Sequence, residues 1–162
     1  MNWIIFTTEC SGKTTFCRNQ DSKLGEFTLV DYDKLMYFNT DKFSNELHFI
    51  ILLNELSKND NQLCFTNILP PDFILGLNEP YINCRFAILL LEKEELKHNI
   101  AKRHHELYDT SYIIEQYEKL KEISERDTTS LKTFKKFKDI SYQFYPEIRK
   151  VLNIKPKNII RL

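Results

Sequence analysis

The stretch NWIIFTTECSGKTTFCRN, residues 2–19, narrows the folds open to this chain more than any other feature. An apolar, β-prone run, NWIIFT, passes without a linker into TTECSGKTT (7–15), and a helix begins at Gly12-Lys13 and closes with CRNQ. The loop differs at one position from the pattern G-x-x-x-x-G-K-[ST], because Thr7 stands where the first glycine belongs. Only Gly12, Gly25 and Gly76 occur among 162 residues, so a glycine placed directly before Lys13 carries more information than usual.

A GKT between a first strand and a helix has a mechanical meaning. Backbone N–H groups from Glu9 to Thr14 can wrap a phosphate at the positive end of the helix. Thr8, Glu9, Cys10, Ser11, Gly12, Lys13, Thr14 and Thr15 then form the nucleotide-binding set. Lys13 bridges β- and γ-phosphates, and the Thr14 hydroxyl serves Mg²⁺. Thr7 is harmless if its backbone tolerates a Cβ and strained if it needs positive φ. The competing reading is a plain helix start, capped by Ser11, with Gly12 there by chance.

The rest of the chain alternates strands and helices. GEFTLVDYD reads as a second strand. DKFSNELHFIILLNELSKND reads as a helix capped near Thr40 or Asp41, with Phe43, Leu47, Ile50, Ile51 and Leu53 toward a core. QLCFTNIL is a third strand stopped by Pro70-Pro71, and FAILLL a fourth, apolar on both faces as a central parallel strand is. Charged helices follow at about 92–106 and 111–125, then a basic segment, a further helix, and NIIRL as a fifth strand. The expected fold is α/β in three layers, a five-stranded parallel sheet with a helical lid over about 92–125, in one domain spanning 1–162. FAILLL is too short to cross a bilayer and WIIF too short for a signal peptide, which predicts an intracellular, cytoplasmic protein with no membrane partner. Cys10, Cys17, Cys64 and Cys84 lack C-x-x-C spacing and are expected as reduced thiols rather than zinc ligands. Cys10, beside a helix N-terminus, is also a candidate low-pKa thiol that senses oxidation.

Three further groups bear on chemistry. VDYDKL places Asp31 and Asp33 on one side of a strand end, where ligands collect in open parallel sheets. Asp31 is the candidate for holding hydrated Mg²⁺ and Asp33 for accepting a proton from an acceptor hydroxyl; either alone could instead cap the next helix. Arg103, late in a lid helix with Lys97 and Lys102, can offset charge on a transferring phosphoryl group, or be an ordinary cation at a helix C-terminus. Residues 1–118 carry 11 Lys/Arg against 18 Asp/Glu and residues 119–162 carry 12 against 5, so the net charge of zero hides a basic final third. KTFKKFKDI (132–140) is its densest part: a surface for nucleic acid through 132–138, or a solvated helix face with Phe134 and Phe137 turned inward. His104 and His105 would point apart, and His48 and His98 are lone histidines on helices, read as structural.

Taken together, the strand, TTECSGKTT, LVDYDKL about 18 residues after the GKT, and ELKHNIAKR followed by IIEQYEKL resemble the P-loop kinases typified by bacteriophage polynucleotide 5′-hydroxyl kinases. The resemblance covers about residues 2–122. It implies ATP and Mg²⁺ as cofactors, Asp33 as the group activating the acceptor hydroxyl, and Arg103 on the phosphates. An earlier lid arginine of the family falls on Asn99, and the arginine that holds the acceptor's 3′-phosphate falls on Met36. The loop is also similar to the G-x-E-S-S-G-K-T-T of nicotinamide riboside kinases. The expected activity is ATP-dependent transfer of the γ-phosphoryl group to a polynucleotide 5′-hydroxyl or a nucleoside, with Lys13, Asp33 and Arg103 catalytic. The alternatives are a kinase for nucleoside monophosphates or other small molecules, and a non-catalytic nucleotide-binding module.

Overall fold

A computed structural model describes residues 1–33, 42–103, 110–126 and 128–148. Its centre is β1 (Asn2–Phe6), an apolar strand with parallel neighbours on both sides, β4 (Gln62–Thr66) and β5 (Cys84–Leu89). Beyond β4 lies β3 (Phe27–Tyr32), also parallel, and β2 (Lys23–Leu24) pairs antiparallel with it through a tight hairpin. Gly25 allows that hairpin at φ 59, and a Cβ there would press to 3.1 Å from the Tyr145 ring. β6 (Lys132–Phe134) closes the other side, parallel to β5. Among the described residues the order is β2-β3-β4-β1-β5-β6, an α/β fold with a six-stranded, mostly parallel sheet and five helices.

Alternation along β1 builds two cores, because successive side chains of a strand point to opposite faces. Ile4 and Phe6 pack beneath α2 (Lys42–Leu56), α3 (Lys93–Arg103) and α4 (Ser111–Glu125), with Phe49, Leu52, Leu96, Ile113 and Leu120. Ile5 faces α1 (Lys13–Asn19) and α5 (Phe137–Phe144), with Cys17, Ile140 and Phe144. The connection from β1 therefore runs over one face, while the segments leaving β4 and β5 run over the other. Such a reversal opens a crevice at the carboxyl end of β1, the place where open parallel sheets bind ligands.

Several expectations need correction. The sheet is not five-stranded and wholly parallel, since β2 adds an antiparallel edge and β6 arises inside the basic segment read as a solvated helix face. Phe134 is buried in that strand rather than on a helix, and Phe137 opens α5. The fifth strand expected at NIIRL, the cap at Thr40 or Asp41, and the Phe43 side chain lie outside the described residues. On α2, Leu53 is buried as expected, but Leu47, Ile50 and Ile51 are 48%, 57% and 44% exposed, and Phe49, Leu52 and Leu56 supply the core instead. The run FIILL (49–53) is apolar on every side of the helix, so the periodicity did not select a face there. Among the described residues no helix is long and apolar enough to cross a membrane.

Candidate phosphate-binding site

The loop between β1 and α1 begins as a continuation of the sheet. The Thr7 N–H donates to the Thr66 carbonyl at 2.8 Å, and the residue is buried. Thr7 is not in the left-handed region, so the absent first glycine brings no backbone strain there. The turning is done later, at Cys10 (φ 61) and Gly12 (φ 94). An alanine Cβ at Gly12 would meet only the Phe137 ring at 3.6 Å, so backbone conformation rather than space demands the glycine. Left-handed residues among right-handed ones curl successive N–H groups toward a common centre. The first-turn N–H groups of α1, those of Lys13, Thr14 and Thr15, have no intrahelical acceptor, and no acidic side chain occupies that turn.

Lys13, buried at 4% exposure, points back under the end of β3. Its ammonium lies 2.5 Å from Asp31 Oδ1 and also forms an ion pair with Asp33. Thr14 donates its hydroxyl hydrogen to the other Asp31 oxygen, Oδ2. Asp31 and Asp33 reach the same cation because residues i and i+2 of a strand share a side. Burial alone would push the Lys13 ammonium down, but the hydrogen bonds to Asp31 and Asp33, followed by their charges, hold it above its ordinary value. The result is a fixed cation and two carboxylates of different exposure, 22% for Asp31 and 42% for Asp33.

A cleft of ≈ 610 Å³ runs from Ser11 and Gly12 along α1 to Arg18, with Lys102 and Arg103 of α3 and Phe137 of α5 on its walls. Phe137 is held there by stacking on Phe16, with ring centroids 4.7 Å apart. Ser11 is buried at 3% exposure, and among the described residues its hydroxyl is a buried side-chain oxygen without a hydrogen-bond partner. An orphaned buried hydroxyl is unfavourable by about 1–3 kcal/mol, which favours a ligand that supplies an acceptor.

The structure thus brings together Lys13, Thr14, Asp31 and Asp33, and sets Cys10, Ser11, Gly12, Thr15 and Arg103 along the adjoining cleft. Thr8 is buried in the loop itself. Glu9 differs from expectation, because its N–H, assigned to the cradle, donates to Gln116 Oε1 at 3.3 Å. Cys10 is not a low-pKa thiol. Burial pushes it above its ordinary value, outweighing Arg103 and Lys13, which pull it down. Met36, His104 and His105 lie outside the described residues. His48 Nδ1 lies 3.5 Å from the Tyr32 hydroxyl at the end of β3.

Sequence reasoning missed two contacts. Asn99 Nδ2 donates to the Cys10 carbonyl at 2.9 Å, and Gln116 Nε2 donates to the Asn67 carbonyl. Both residues sit on amphipathic, charged helices where a lone amide looks like surface, so no local signal marked them. The basic segment forms a separate groove of ≈ 480 Å³ at the sheet edge, lined by Lys132, Lys135, Asp139, Tyr142 and Gln143. No protein-family model matches the chain, and no curated protein matches it either.

Proposed function

We propose that the chain is an ATP- and Mg²⁺-dependent kinase of the P-loop class, with α3 and α4 as its lid, that transfers the γ-phosphoryl group to an acceptor hydroxyl. The observation that carries this reading is the convergence of Lys13, Thr14, Asp31 and Asp33 at the carboxyl end of the sheet, beside a loop bent at Cys10 and Gly12. A phosphate chain there would meet a buried ammonium, the open N–H groups of α1 and the unsatisfied Ser11 hydroxyl, so the donors present fit a polyanion. The adjoining cleft leaves room for a nucleoside between Arg18, Lys102 and Phe137. Thr14 and Asp31 would hold the magnesium ion, which neutralises phosphate charge when bound and takes only one or two protein oxygens.

The chain's own residues divide the work. Lys13 exchanges its carboxylate partners for phosphate oxygens. Asp33, relieved of the ammonium, accepts the proton of the acceptor hydroxyl as the new O–P bond forms and the bridging P–O bond to the leaving ADP breaks. Arg103, on the cleft wall, presents planar N–H donors to charge on the transferred group. The acceptor is a polynucleotide 5′-hydroxyl or a nucleoside, with the lysine-lined groove of 132–138 favouring a nucleic acid. Nucleoside monophosphates and other small alcohols are the next class.

The test is transfer of labelled γ-phosphate with Mg²⁺ to a panel of a 5′-hydroxyl oligonucleotide, nucleosides, nucleoside monophosphates and nicotinamide riboside, with Asp33→Asn as control. Labelling of one acceptor, lost in Asp33→Asn, is the expected result. One observation favours a second reading, a nucleotide-binding module without catalysis: both carboxylates are engaged by Lys13. ATP binding with no labelled product would replace the kinase by that module.

A further inference from the structure

Two side chains given no part in the proposed chemistry hold the Thr7–Gly12 loop, Asn99 from the wall of the cleft and Gln116 from beyond its lining. Asn99, half-buried on α3, donates to the Cys10 carbonyl at 2.9 Å. Gln116, half-buried on α4, accepts from the Glu9 N–H and donates to the Asn67 carbonyl, so it ties the loop to the segment leaving β4. Asn99 reaches across 89 positions of sequence and Gln116 across 107 to Glu9, so neither contact belongs to the loop's local preferences.

The geometry of one peptide unit gives the first contact its consequence. In a trans peptide the C=O and the next N–H point to opposite sides. A Cys10 carbonyl drawn toward α3 therefore turns the Ser11 N–H away from α3. With that peptide reversed, the loop would offer a carbonyl oxygen where an anion needs a donor. The loop does not select this shape by itself, since Cys10 sits at φ 61, where a residue with a Cβ is disfavoured. Two outside anchors oppose that tendency: the Cys10 side chain is buried in the core beneath α3, and its carbonyl is tied to Asn99. The unpartnered Ser11 hydroxyl follows on the same peptide.

We propose that Asn99 is a positioning residue for anion binding, fixing the Cys10–Ser11 peptide so that the Ser11 N–H is presented to a phosphate, and that Gln116 braces the turn before it. The inference rests on the nucleotide-binding reading above. It makes the two lid helices the parts that set the loop's shape, so that loop geometry and lid position are coupled through two amide side chains.

The experiment compares wild type, Asn99→Ala and Asn99→Leu in the full chain, measuring affinity for ADP and for inorganic pyrophosphate, the melting temperature without ligand, and the Ser11 amide resonance without ligand. Asn99→Leu keeps close to the shape and removes the donor without adding a charge beside the anion. The expected result is that wild type binds both anions and that each variant binds both about tenfold or more weakly, as loss of a hydrogen bond serving a charged ligand implies. The Ser11 resonance moves in the unliganded variants, while their melting temperatures stay close to wild type. Unchanged affinities with an unmoved Ser11 resonance overturn the positioning role and leave the nucleotide reading standing. A lowered melting temperature with unchanged affinities gives Asn99 a merely structural role and overturns it equally. Wild type that binds neither ADP nor pyrophosphate overturns both. Should Asn99→Ala not fold, Asn99→Leu carries the same comparison.

Discussion

Lys13 gathers the site's charge, and its removal tests two links at once. Lys13→Met leaves Asp31 and Asp33 beside each other with no cation between them. Both carboxylates keep access to water, so the expected loss of stability in urea is about 1–3 kcal/mol, below that of a fully buried broken pair. Nucleotide should then no longer raise the melting temperature. Gly12→Ala is limited by backbone strain at φ 94 rather than by contact, and should lower stability by about 1–3 kcal/mol in urea unfolding. The cysteines give a pH dependence. Burial pushes Cys17 up to about 11 and Cys84 up to about 12 from an ordinary 9.0. The folded state keeps these thiol protons longer than the unfolded chain does, so stability is fully present below pH 9 and falls as pH rises from 9 through 11. Urea midpoints at pH 8 and pH 10.5 should show that fall, and Cys17→Ala should reduce it. At this scale the hydrogen-bonded cluster was legible, because Lys13, Thr14, Asp31 and Asp33 lie in short motifs whose spacing sets their side. Ser11's orphaned hydroxyl and the clasp of Asn99 were not, since neither depends on neighbours in sequence.

Helix α2 shows where patterning stops being informative. Its existence from Lys42 to Leu56 follows from a long apolar run, yet Leu47, Ile50 and Ile51 could face inward as plausibly as Phe49, Leu52 and Leu56 on periodicity alone. The sheet decides, because Phe6 and Phe86 stack near Phe49 and fix the helix's rotation. Leu52→Ala should therefore lose about 2–5 kcal/mol, while Ile50→Ala stays within about 0.5 kcal/mol of wild type in the same urea titration. The basic segment shows a similar limit. KTF forms an edge strand because β5 offers an open ladder beside Phe134, a partner 45 residues away that no local propensity announces. β2 was overlooked for a simpler reason, being only two residues long.

At the scale of the whole molecule, the mostly parallel sheet brings the ends of β1 and β3 to one edge and carries the groove of Lys132 and Lys135 on its last strand, β6, and the turn that follows. If the acceptor is a nucleic acid, its binding should weaken with salt along a log–log slope, and Lys135→Gln with Lys136→Gln should flatten that slope without changing affinity for ADP. A nucleoside acceptor should show almost no salt response. What the sequence determined by itself was the succession of the longer strands and helices from β1 to α4, the parallel sense of β1, β3, β4 and β5, and the short motifs that supply cation, hydroxyl and carboxylates, because each rests on neighbours within a few residues. The tertiary structure alone decided the strand order, the buried face of α2, the promotion of 132–134 to a strand, and the hold of α3 and α4 on the loop between β1 and α1. Those features depend on contacts between residues tens of positions apart, and their energies exist only once the sheet has brought the segments together.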